Sequence, residues 1–121
     1  MVATSDDLGR SLSRTTSDRS LIEPPAQASI LRLPTAKTGD RNRLLFANPA
    51  STRRENLTVR LSYDEGSSWP VARVIEAGPS AYSSLVVLSD RSIGVLFERG
   101  ARSPYEKITF ARFTLAWLIA P

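Results

Sequence analysis

Neither cysteine nor histidine occurs among the 121 residues of this chain, and the two absences remove a large part of protein chemistry. They exclude a disulfide framework, a Cys/His zinc site, a thiolate nucleophile and a Ser-His-Asp triad built within the chain. What remains is chemistry done by Arg, Tyr, Glu, Asp, Ser and Lys. No apolar run approaches the roughly 20 residues that a membrane-crossing helix needs, so no membrane span is expected. Residues 1–19 are polar from the start and lack the apolar stretch of a secretory signal. Missing cysteine does not identify a compartment, because only its presence would be informative. No phosphate loop or metal-ligand cluster is found, and neither a cofactor nor a metal is expected.

The charge is uneven along the chain. Sixteen Lys and Arg face twelve Asp and Glu. Residues 1–60 hold ten basic and six acidic residues, residues 61–121 six of each. A nucleic-acid surface would cluster the basic residues on one face with aromatics for stacking. Here the arginines are scattered and Phe46 is the one aromatic of the first 60 residues, so no nucleic-acid partner is expected.

From Ala28 onward, short apolar runs alternate with turn residues, the pattern of strands. Seven are expected: 29–33, 43–47, 57–63, 72–76, 83–88, 93–98 and 108–115. Lys37-Thr38-Gly39-Asp40 reads as the loop of the first hairpin, and Ser89-Asp90-Arg91-Ser92 as a later turn. Leu57, Val59, Leu61 and Tyr63 alternate with polar residues, which predicts one buried face and one wetter face. No helical stripe exceeds two turns, so the fold is expected to be all-β. Phe110, Phe113, Leu115 and Trp117 read as packing. Asn56-Leu57-Thr58 fits a glycosylation sequon, a pattern common by chance, and is assigned no role.

One pattern carries more. In Ser62-Tyr63-Asp64-Glu65-Gly66-Ser67-Ser68-Trp69, Ser62 and Asp64 can bond backbone N–H groups, Gly66 can take positive φ and Trp69 can pack back under the turn. A second copy, with Ser5, Asp7 and Gly9 at the same spacing and Leu12 in place of the Trp, lies 57 residues earlier. That interval is near the length of a four-stranded propeller blade. Residues 1–27 are therefore expected to be the end of one blade and a connection, residues 28–77 one blade, and residues 78–121 most of the last.

The motif is an Asp box, and with it the chain resembles the bacterial sialidase (neuraminidase) family, whose catalytic domain is a six-bladed β-propeller. The resemblance also rests on residues 27–32, 48–51, 54–62, 78–85, 94–98 and 108–113. It implies a partial β-propeller of about two blades, the C-terminal part of such a domain. It also implies retaining hydrolysis of terminal sialic acids, with sialylated glycans as substrate. Arg54 matches the third of the family's carboxylate-binding arginines, with Arg53 as an alternative. Tyr82 matches the nucleophile, and Ser84 stands where Asp is commoner in the family. Glu98 matches a glutamate that orients a binding arginine; otherwise it is a strand-end residue paired with Arg99 or Arg102. An export address would also follow from the family rather than from these residues.

In family order the acid/base aspartate, the glutamate that activates the tyrosine and two arginines precede the first Asp box. A complete six-bladed domain needs roughly 300 residues, at about 50 per blade. The expectation is that this chain is inactive alone and has the preceding blades as its partner. The other reading is a non-catalytic Asp-box module that binds a glycan or a protein.

Overall fold

The computed structural model describes residues 1–35 and 40–121. Six antiparallel strands follow in chain order: β1 (Ser29–Leu33), β2 (Arg43–Pro49), β3 (Glu55–Ser62), β4 (Val71–Val87), β5 (Ile93–Arg99) and β6 (Lys107–Phe113). A short helix, α1 (Leu115–Ile119), ends the chain. Each strand pairs with its neighbours in the order β1-β2-β3-β4-β5-β6. The expected loop at Lys37, Thr38 and Gly39 lies outside the described residues.

The expected strands 72–76 and 83–88 are one 17-residue strand, so the described residues form six strands and not seven. Gly78-Pro79 looked like a break. Proline lacks the N–H of a ladder bond, but it falls where β4 changes partner, from Glu55↔Pro79 with β3 to Ser80↔Arg99 with β5. The strand thus passes from a four-stranded sheet (β1, β2, β3 and the first half of β4) into a three-stranded one (the second half, β5 and β6). The two sheets face each other across Leu45, Leu57, Val59, Leu61, Ile93, Val95 and Phe97, all buried. Together they form a curled, partial β-propeller.

Two further expectations change. The second face of β3 is not wet: Thr58, Arg60 and Ser62 are buried as well. Arg60 donates from Nη1 to Asn48 Oδ1 at 2.7 Å, and Asn48 Nδ2 donates to the Ile22 carbonyl at 2.9 Å. The N-terminal segment therefore ties down over this face. Burial lowers the Arg60 pKa, opposed by the Asp18 charge. The last strand stops at Phe113 because the Thr114 hydroxyl accepts the Trp117 N–H at 3.1 Å and caps α1. Trp117 then stacks at 5.3 Å on Phe113.

Candidate active site

Both eight-residue turns fold by the same local bonds. In the second, Ser62 Oγ accepts from Gly66 N at 2.8 Å, and Asp64 Oδ1 accepts from Ser62 Oγ and from Ser68 N, each at 2.8 Å. In the first, Ser5 Oγ accepts from Gly9 N at 2.7 Å, and Asp7 Oδ1 accepts from Ser5 Oγ at 2.7 Å and Ser11 N at 2.9 Å. Gly9 and Gly66 both have φ +86°, the left-handed region where glycine is unstrained. The Ser11 N–H and hydroxyl, with the Ser5 hydroxyl, hold Asp7 down at about 2. The Ser68 hydroxyl and N–H, then the Ser62 hydroxyl, lower Asp64. Trp69 stacks on Phe46 at 5.7 Å.

A different rim carries Arg54 and Tyr82. The loop before β3 is closed by Ala50 N donating to Asn56 O at 2.9 Å, with Asn56 in the left-handed region at φ +59°. Within it the two arginines part company. Arg53 pairs with Glu55 at 3.1 Å, whereas the Arg54 guanidinium stacks 5.2 Å from the Tyr82 ring centroid. Tyr82, on β4 just after the change of partner, is 45% exposed.

Tyr105, which sequence reasoning missed, closes the other side of this arginine. Its ring lies 5.7 Å from the guanidinium, and its hydroxyl accepts from Arg54 Nη1 at 2.5 Å. Arg54 Nη2 donates to Pro25 O at 2.8 Å. Tyr105 is held in place by a compact loop between β5 and β6, in which Glu106 gathers the N–H groups of Ala101, Arg102 and Ser103 at 3.0, 2.8 and 2.8 Å. Those three donors lower the Glu106 pKa. A Cβ at Gly100 would sit 2.0 Å from Ser103 O, so the loop closes only on glycine. No spacing rule links Tyr105 to Arg54, 51 positions away, and only the fold joins them.

Among the described residues, Glu98 pairs with neither Arg99 nor Arg102, the two strand-end partners considered in the sequence. Its Oε2 accepts from Tyr82 N at 3.2 Å, and among the described residues it forms no ion pair. Arg99 pairs instead with Glu76 at 2.8 Å. Gln27 completes the surroundings of Tyr82: its Oε1 accepts from Ser83 N at 3.1 Å. A shallow depression of about 260 Å³ beside Tyr82 and Glu98 is floored by Leu96, Phe97 and Ile108. Arg54, Tyr82 and Glu98 are therefore brought to one rim, while the two Asp boxes are separate turns that take no part in it.

Residues 1–95 match the model of the BNR repeat-like domain. The chain is 43% identical to a sialidase of Micromonospora viridifaciens over 97% of its own length and 18% of the relative's. It is 36% identical to mouse sialidase-4 over 77% of its length and 20% of the relative's. Among solved structures it is similar to a Hadza microbial sialidase, with TM-score 0.80, 33% identity, and coverage of 97% of this chain and 23% of that one. The intramolecular trans-sialidase from Ruminococcus gnavus, at 21% identity and TM-score 0.82, shares the fold over 98% of this chain and 28% of its own. The chain spans about a fifth of the length of the curated relatives it matches.

Proposed function

The chain belongs to the BNR-repeat sialidase family, and from that premise we propose that Arg54 and Tyr82 form part of a site that removes terminal sialic acids from glycoconjugates with retention of configuration. The observation that carries this reading is the Arg54 guanidinium 5.2 Å from the Tyr82 ring. It puts a permanent cation and a phenol on one exposed rim.

Sialic acid bears a carboxylate on its anomeric carbon. Arg54 would hold that carboxylate, since a guanidinium keeps its charge and offers parallel donors. Tyr82 would attack: its Oη bonds to the anomeric carbon while the bond to the aglycone oxygen breaks, an acid protonates that oxygen, and a base takes the phenol proton. Water then displaces the phenol, which regains its proton. A neutral phenol avoids bringing a second anion to a carbon already flanked by one, which is why sialidases depart from the usual carboxylate nucleophile. Glu98, with Oε2 on the Tyr82 N–H, would offer its other oxygen to a further arginine.

On this reading residues 28–77 are one blade, residues 78–121 are most of the next, and residues 1–27 end the blade before. The acid, the base and two more arginines come from blades outside these 121 residues. The test is hydrolysis of a fluorogenic sialoside by the chain alone and with the remaining blades supplied. Turnover is expected only in the second case. Tyr82→Phe should abolish it, and Arg54→Ala should lower kcat/KM by roughly 10- to 100-fold, the worth of a charge-assisted pair. Hydrolysis by the chain alone, or full activity in Tyr82→Phe, would reject the assignment.

A further inference from the structure

Ser80 lies two residues before Tyr82 and is fully buried. It sits where β4 leaves β3 and joins β5, with register shifts on either side, between Glu55 and Leu57 and between Ser80 and Ser83. Both of its polar groups reach the loop that carries Arg54. Ser80 N donates to the Arg54 carbonyl at 2.9 Å, and Ser80 Oγ accepts from Leu57 N at 3.1 Å. Leu57 is itself fully buried, so its N–H has no water to fall back on.

We infer that Ser80 is the positioning residue that sets the separation of Arg54 and Tyr82. The two bonds straddle the left-handed Asn56 and fix the loop on both sides of it. The same residue begins the strand segment that holds Tyr82. The backbone segments that carry the guanidinium and the phenol therefore take their spacing from one buried serine, while Tyr105 and the Pro25 carbonyl hold the guanidinium itself. This inference rests on the reading that these two side chains work as a pair, but its test needs no turnover and no ligand.

The test is NMR of the 121-residue chain, following cross-relaxation between Arg54 side-chain protons and the Tyr82 ring and the ring-current shift of the Arg54 Nε–H. In Ser80→Ala the Arg54–Tyr82 cross-peaks should be lost and the Nε–H should move toward its free value. The Trp69–Phe46 contacts of the distant turn should stay. Ser80→Thr, which keeps the oxygen, should restore the cross-peaks. Retention of the contact in folded Ser80→Ala overturns the inference. So does its loss in both variants, which would assign the effect to packing and not to the hydroxyl. If Ser80→Ala does not fold, amide exchange of the unsubstituted chain decides: Leu57 and Ser80 amides should be as protected as that of core Val95, and exchange at loop rates overturns the inference. Failure of sialoside hydrolysis with all blades present, with these signals intact, would instead reject the proposed function.

Discussion

The two Asp-box turns share their backbone path, their serine and aspartate bonds and a glycine at the same φ, yet they stand in opposite surroundings. The turn ending in Trp69 is pinned to the four-stranded sheet through Phe46, and Trp69 Cζ2 lies 3.5 Å from where a Cβ on Gly66 would be. The turn ending in Leu12 has that side chain 70% exposed, and a Cβ on Gly9 would meet nothing within 4 Å. The loop geometry therefore does not need the aromatic anchor. Hydrogen bonds inside eight residues shape the turn, and the anchor serves to attach it to a sheet.

Several substitutions would break or sharpen that contrast. The largest difference should come from truncating the anchors: Trp69→Ala is expected to destabilise the chain by about 3 kcal/mol, whereas Leu12→Ala should stay within roughly 0.5 kcal/mol, both read from urea unfolding. Equal losses would show that the first turn is anchored after all. Next, Gly66→Ala and Gly9→Ala should each lose about 1 kcal/mol, because both force a side chain into the left-handed region. As the space at each is unobstructed, similar penalties are expected; a much larger one at Gly66 would mean that its contact with Trp69 cannot give.

Acid should loosen both turns without separating them. Asp7 and Asp64 have folded pKa values below the ordinary one, so their contribution is present above the unfolded value and is lost as pH falls through the folded value. For Asp7 that window runs from 3.8 down to about 2. The Ser11 amide shift should move over this range and the Ser68 amide below the ordinary carboxylate value, and a Ser68 amide that titrates above pH 4 would contradict the lowered Asp64. The smallest effect is expected from Leu12→Trp. With nothing for the ring to cover, thermal unfolding should shift little, and a clear rise in midpoint would reveal a surface for it.

Legibility in the sequence followed the range of the interactions. The turn at Ser62–Trp69 could be read because the bonds among Ser62, Asp64, Gly66 and Ser68 that shape it all fall within four residues. Five of the strands could be placed from short apolar runs bounded by turn residues, since both signals are local. The continuous β4 could not, because Pro79 is tolerated only through a change of strand partner that local sequence does not express. The dry second face of β3 was hidden too: polar Thr58, Arg60 and Ser62 look solvated until Asn48 and the N-terminal segment cover them. At the candidate site, Arg54 and Tyr82 were named through family resemblance. Tyr105 and the bond from Tyr82 N to Glu98 were not found at all.

Composition and local pattern alone determined that this chain folds as β-structure with Asp-box turns, and that thiol and imidazole chemistry within it is excluded. Both follow from forces acting over a few residues or from groups simply being absent. Tertiary structure alone decided that Arg54 faces Tyr82 while Arg53 turns to Glu55, and that Tyr105 joins them from 51 positions away. Such meetings depend on where one strand changes partners and on which buried N–H finds an acceptor. No window of sequence contains both ends of those contacts.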